Sequence, residues 1–198
     1  PFSGEGLIAQ YLEEGSLPPE TVLSLAREAV VAGGLVPVFC GAARKNKGVQ
    51  PLLDAVVSLL PSPMDVPAMV GTELSEEARS LVVAPVDEEA AALVFKTAHF
   101  AGGTLSFLRV YSGRIRASDR LVNARTQETC RIGRLLRMHA NQQEHIDEVA
   151  AGDIAAVVGL KSVTTGDTLC DPKRLLLLER IEFPTPVLFQ ALEPETDE

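Results

Sequence analysis

Positive charge is in short supply in this chain. Its 198 residues hold 18 Lys and Arg against 27 Asp and Glu, a formal net charge of −9, which excludes a protein coated all over with cations. Cysteine is scarcer still. Cys40, Cys130 and Cys170 are odd in number, far apart and never in a C-x-x-C pair, so neither a disulfide framework nor a zinc ribbon is expected, and a reducing compartment fits best. No apolar run approaches the roughly 18 residues of a membrane span, and Pro1 to Gly6 offers no basic stretch ahead of an apolar core. A soluble, cytoplasmic protein with no membrane partner is expected. Aromatic residues make up only 5%, without a Trp, which leaves few rings on which single-stranded bases can stack. An initiator Met is also lacking, and the chain is expected to be an internal piece of a longer one.

What is present is globular: 46% of residues are hydrophobic and 23% charged, enough for a buried core, and the length suits two modest domains. Leu7 to Leu12 carries apolar residues at helical spacing. Pro18-Pro19-Glu20 then opens a second helix, expected to run to Val31 and to stop at Gly33-Gly34. Leu35 to Cys40 is short, β-branched and nearly all apolar, as expected of a buried strand in a parallel sheet. A polar loop from Gly41 to Gly48 follows, then an amphipathic helix from Val49 to Leu60. Helix, strand, loop, helix is α/β grammar. The prolines between Pro61 and Pro67 mark a boundary, after which a short helix expected at Ser75 to Leu81 precedes strand upon strand. These are Ala92–Thr97, Thr104–Tyr111, Arg120–Val122, Thr129–Met138, Ile154–Leu160 and Ile181–Phe183. Such short strands with turn punctuation predict a small closed barrel of about six strands. Domains are therefore expected at 1–66, 67–184 and 185–198, with Val187 to Leu192 as a candidate first strand of whatever follows.

Catalysis is not expected. His99, His139 and His145 have no ligand or triad pattern around them, and His139 and His145 lie six apart, which does not put both on one helical face. No metal site is expected either. The loop from Gly41 to Gly48 is no Walker phosphate loop, because six residues separate its glycines and Val49 follows. It is either a plain connector or, at the end of a strand where α/β sheets bind ligands, a source of backbone donors. Between Arg109 and Arg137 eight arginines stand against only Asp119 and Glu128, while part of the acid lies in the tail at Glu193, Glu195, Asp197 and Glu198. The arginines either track a phosphate backbone or decorate solvated strand faces. Arg114 and Arg116, two apart, would share a face, whereas Arg131, Arg134 and Arg137 alternate sides unless bulges intervene.

The run Val36-Pro37-Val38-Phe39-Cys40-Gly41-Ala42-Ala43-Arg44-Lys45-Asn46-Lys47-Gly48, continuing to Val56, resembles the last guanine-binding segment and final helix of the G domain in the elongation factor G family. The likeness continues through Phe107 to Gly113, Met138 to Asn141, Ile146 to Ala156, Thr165 to Cys170 and Glu182 to Pro184, which are similar to the second, β-barrel domain of that family. The resemblance implies an α/β remnant of a P-loop GTPase domain followed by a closed, Greek-key barrel. It implies a parent GTPase that drives translocation on the ribosome. The parent would bind GTP or GDP with Mg, with the phosphate loop and switch regions upstream, so the fragment alone would hydrolyse nothing and hold no cofactor. It also implies backbone contacts to the nucleotide at Gly41, Ala42 and Ala43. The barrel would dock on small-subunit RNA, with Arg109, Arg114, Arg116, Arg134 and Arg137 as RNA-contact candidates, and the other domains of the same chain would be its further partners. Departures point to a divergent member: Ala42 stands where the family usually has Ser, Arg44 replaces an apolar residue, and Thr97 to Gly103 lacks an Asp-Pro pair. A recycling-type paralogue and a non-enzymatic barrel module are the alternatives.

Overall fold

The computed structural model describes residues 4–74, 79–100, 103–140, 142–179, 181, 184–185, 187–188 and 190–191. The chain divides into two compact units, Pro1–Pro67 and Ala68–Glu198.

The first unit is built of three helices, α1 (Gly4–Glu14), α2 (Pro19–Val31) and α3 (Val49–Leu59). Pro19 and Glu20 suit the first turn of α2, where no amide partner is needed and negative charge meets the positive helix end. Its far end closes as glycine dictates: Gly33 takes φ 73°, and the amides of Gly33 and Gly34 return to the carbonyls of Val30 and Ala29 at 3.0 and 2.8 Å. Arg27 reaches from α2 to the end of α3, donating to the carbonyls of Ser58 (2.8 Å) and Leu60 (3.2 Å) and to the Asp65 carboxylate (2.7 Å). A cation there offsets the exposed carbonyls and negative end of a helix. Asp65 also accepts the Ser62 amide, and hydrogen bonding from Ser62, ahead of the Arg27 charge, holds its carboxyl below the ordinary range.

The strand expected over Leu35–Cys40 is not formed. That stretch is irregular, and Val36 and Val38 are more than four-fifths exposed. A buried parallel strand needs neighbours on both sides, and among the described residues this unit has none. The single β feature among its described residues is a bridge between Ala42 and Lys47. Leu59 is the one buried hydrophobic residue described here, so the apolar faces of the helices stay largely open.

The second unit is mostly β. Eight strands form one antiparallel ladder in the order β7-β6-β12-β3-β4-β11-β8-β9. They are β3 (Ala91–Phe100), β4 (Gly103–Ser112), β6 (Arg120–Asn123), β7 (Thr129–Arg131), β8 (Leu135–His139), β9 (Gln142–Ile146), β11 (Ile154–Val158) and β12 (Thr168–Cys170). A pair, β5 (Arg114–Arg116) with β10 (Glu148–Ala150), stands apart from this ladder. A third sheet joins β1 (Met69–Glu73), β2 (Ser80–Val83) and β13 (Leu176–Leu177).

Period-two alternation sorts the side chains. Val94 of β3, Leu108 and Val110 of β4, Ile115 of β5, Leu121 of β6 and Val149 of β10 meet in one core that strands of two sheets share. The opposite face of β3 and β12 carries Ala91, Leu93 and Cys170, covered by Val83 and Leu176 from the three-stranded sheet. The start of strand β3 is thus apolar on both sides, which explains its unbroken Ala91 to Val94 run. Burial accordingly raises the thiol pKa of both Cys130 and Cys170.

Three expectations need correction. The ladder has eight strands and does not close: among the described residues β7 and β9 are its free edges, although its strands share one core with the β5–β10 pair. The strand expected over Thr129–Met138 is broken between Arg131 and Leu135, where a Cβ on Gly133 would lie 2.6 Å from the Val158 carbonyl oxygen, so the chain passes too close to its neighbour for any larger residue. Ser80 and Leu81, assigned to a helix, lie in β2, pulled into strand by their pairing with Thr72 and Gly71. Arg79 is not helical, and residues 75–78 fall outside the described residues, as do Glu182, Phe183, Phe189 and Leu192 of the expected C-terminal strands.

Candidate functional site

The sequence marks two places, one in each unit. In the first, the loop after Cys40 folds back on itself. Ala42 donates its amide to the Lys47 carbonyl (2.9 Å) and accepts from the amides of Lys45 (2.9 Å) and Lys47 (3.2 Å), around a single 3-10 turn at Ala43–Lys45. Asn46 closes that turn in the left-handed region at φ 50°. The two glycines let the ends approach: a Cβ on Gly48 (φ 74°) would fall 2.6 Å from the Cys40 oxygen, and one on Gly41 would fall 3.1 Å from the Lys47 oxygen. The amide of Ala42 is therefore engaged within the loop. That of Ala43, first in the turn, donates to none of the described residues, as expected of an opening helical position. Gly41, Ala42 and Ala43 are all exposed.

In the second unit the structure sorts the arginines by what they touch. Arg109, on β4, is half-buried and lies with its guanidinium 5.0 Å over the Tyr111 ring; its Nε is buried without a hydrogen-bond partner among the described residues. Arg114 and Arg116 do share a face of β5, and both hold Glu148 across the pair, at 2.8 and 3.1 Å. The Arg116 hydrogen bond, then the Arg114 charge, keep the Glu148 carboxyl below its ordinary pKa against the opposing effect of desolvation. These two arginines border an open cleft of about 580 Å³ with Asp87, Glu88 and Gly113. Arg134 and Arg137 are exposed on either side of the start of β8, and Arg137 stands opposite Glu144 of β9. Of the five candidates, Arg114 and Arg116 are the two that share a partner among the described residues.

Two arrangements escaped the sequence. Arg125 binds Asp167 through Nε (2.6 Å) and Nη2 (2.9 Å), locking the turn before β12 to the turn after β6. Arg120 and Arg131 stand directly opposite each other on β6 and β7. The second was legible in principle. Both lie equally far from the turn at Arg125-Thr126, so reading the two strands as one hairpin would have paired them.

Among the described residues no group of three or more His, Cys, Asp and Glu side chains is arranged to hold a metal ion. Nor is any helix among them long and apolar enough to cross a membrane.

Residues 103–170 match the family model described as elongation factor Tu domain 2. This stretch is therefore similar to a domain of translation factors. The match begins at β4 and ends with β12, so it takes in the shared core apart from the β3 side chains, the β5–β10 pair and the eight arginines from Arg109 to Arg137. A crystal structure of a protein from Thermus thermophilus is similar over 84% of this chain, at 27% identity and a TM-score of 0.61. The chain spans 22% of that protein, so it matches a limited part of a much longer molecule.

Proposed function

We propose that this chain is part of a cytoplasmic ribosomal translocation GTPase of the elongation factor G type, in which the β unit docks on small-subunit RNA and the first unit completes a guanine-nucleotide site. The observation that carries the reading is the elongation factor Tu domain 2 match over 103–170. The loop at Gly41–Gly48 supports it independently. Its geometry spends the Ala42 amide internally and leaves the Ala43 amide without an acceptor among the described residues, which suits a single hydrogen bond to a guanine carbonyl oxygen. Gly41 and Ala42 then shape the loop, and Ala43 makes the contact.

GTP or GDP with Mg would supply the phosphates and the hydrolysable bond in the intact protein. What this chain's residues do is orient the base, because one backbone donor at a fixed loop favours an acceptor and repels a second donor. Gripping phosphates requires converging amides, as at a phosphate loop, and the sequence contains no such motif. Titrated with a fluorescent GDP analogue, the 198-residue chain is therefore expected to bind weaker than micromolar and to hydrolyse no GTP. Micromolar affinity from this chain alone would overturn the division of labour proposed here.

The reading as a whole is tested by extending the native reading frame on both sides and assaying the intact protein with ribosomes. A G-x-x-x-x-G-K-[ST] loop upstream and ribosome-stimulated GTP hydrolysis with tRNA movement are expected. Subunit splitting without translocation would point to a recycling-type paralogue, and absence of both the loop and hydrolysis to a non-enzymatic module.

A further inference from the structure

The register of the β6–β7 hairpin sets two positive charges against each other. Asn123 donates its amide to the Glu128 carbonyl (2.9 Å) and Ile132 donates to Asp119 (2.8 Å). Counting inward in twos from either end makes Leu121 and Cys130 a hydrogen-bonded pair, and leaves Arg120 and Arg131 a non-hydrogen-bonded one. In antiparallel ladders it is the non-hydrogen-bonded pairs whose side chains stand closest. Leu121 and Cys130 point into the core, so Arg120 and Arg131 point together to the outside, where both are exposed.

Like charges directly opposite each other destabilise a sheet. Elsewhere in this unit such crowding is resolved: Glu148 lies between Arg114 and Arg116, and Asp167 holds Arg125. Among the described residues neither Arg120 nor Arg131 has a carboxylate within ion-pair distance, and the one contact is from Arg131 to the neutral Ser118 hydroxyl at 3.4 Å. The pair also sits at an edge of the eight-stranded sheet that is free among the described residues. In the non-hydrogen-bonded positions of β7, the amides of Thr129 and Arg131 point off that edge. Thr129, Arg131 and Lys161 border a cleft of about 540 Å³, in which the single acidic residue is Glu128.

We propose that Arg120 and Arg131 form a clamp for a phosphate of an RNA backbone, with Lys161 and the outward amides of β7 completing the site. The assignment rests on the reading of the β unit as an RNA-docking domain, and moves the phosphate contact away from Arg114 and Arg116. An anion between the two guanidinium groups removes the repulsion that the isolated hairpin retains. The scarcity of aromatic rings agrees with recognition of the backbone by charge and not of bases by stacking.

The test measures binding of the 198-residue chain to small ribosomal subunits and to polyuridylate across a salt series. Three proteins are compared: wild type, the double variant Arg120→Gln with Arg131→Gln, and the double variant Arg114→Gln with Arg116→Gln. For two lost contacts to single-stranded RNA the slope of log K against log salt is expected to shrink by about 1.4 in the first variant, and to stay as in wild type in the second. A wild type that binds while the Arg120/Arg131 variant keeps its slope overturns the clamp and leaves the docking reading intact. Equal losses in both variants overturn the claim that this pair, and not the β5 pair, holds the phosphate. A wild type that binds neither target overturns both readings. Thermal unfolding supplies a second readout. At low salt without RNA, the Arg120/Arg131 variant is expected to melt above wild type because the repulsion is gone. A lower midpoint would mean that the pair serves the fold, and would overturn the clamp.

Discussion

Asp167→Asn is expected to cost the β unit roughly 3 kcal/mol at neutral pH, the combined loss of several hydrogen bonds to a charged acceptor. The Asp167 carboxylate has a side chain only 3% exposed. It accepts from Arg125 Nε (2.6 Å), Arg125 Nη2 (2.9 Å), Asn123 Nδ2 (2.8 Å) and the Thr164 amide (2.9 Å). Every neighbour is a donor. An amide in place of the carboxylate turns an NH2 toward one of these groups, whichever way it is flipped, and leaves a buried donor unsatisfied. Burial alone would raise the Asp167 pKa, but the hydrogen bonds from Arg125, Thr164 and Asn123 outweigh it and hold the group at about 2.

That depression fixes the pH dependence. The folded state binds a proton less readily than the unfolded chain, whose carboxyl titrates near the ordinary 3.8. The stabilisation is therefore complete above about pH 4 and is lost as pH falls toward 2, amounting to roughly 2 kcal/mol at neutrality. Urea unfolding followed by circular dichroism should show the gap between wild type and Asp167→Asn narrowing through this window. A gap that stays constant from neutral pH down to about pH 2 would refute the electrostatic account.

Gly113→Ala is expected to cost roughly 4 kcal/mol, from left-handed backbone strain added to overpacking. Gly113 takes φ 66°, and a Cβ there would lie 2.6 Å from the Glu88 oxygen, 2.7 Å from the Ala90 amide nitrogen and 2.8 Å from the Ala90 Cα. All three are backbone atoms, and they are held. Ser112 Oγ donates to the Glu89 carbonyl at 2.7 Å, the Ala90 carbonyl accepts from Asp171 at 2.8 Å, and Gly113 itself accepts from Ala151 at 3.0 Å. Gly159 separates the two contributions, because its φ of 76° is similar but a Cβ there meets nothing within 4 Å. Gly159→Ala should therefore cost about 1 kcal/mol, the strain alone. Equal losses in the two variants, measured by denaturant unfolding, would show that the close approach at Gly113 contributes nothing.

Much of the local structure was legible from residue order because its causes are local. Pro19 and Gly33 bound α2 through their own backbone preferences, and the alternation in Thr104 to Tyr111 follows from the pleat. The expected strand at Leu35–Cys40 failed for the opposite reason. An apolar run specifies that it will be covered, not by what, and a strand exists only when a neighbour supplies the other half of each hydrogen bond. Several short strands went unread on the same ground. Thr168–Cys170 is three residues long, and its pairing with both β3 and β6 makes it a strand.

The candidate sites divide likewise. The sequence by itself determined that the arginines would gather between Arg109 and Arg137, that Gly41 to Gly48 would be a polar loop ahead of a helix, and that the second half would be β. Composition and single-residue conformational limits suffice for that. Which arginines are neutralised was decided by tertiary structure alone: Glu148 reaches Arg114 and Arg116 from 32 to 34 residues away, and Asp167 reaches Arg125 from 42. Arg120 and Arg131 are placed opposite each other by the hairpin register, and among the described residues neither has such a partner. Charge is a property of residues, whereas its compensation depends on distances that only the folded chain sets.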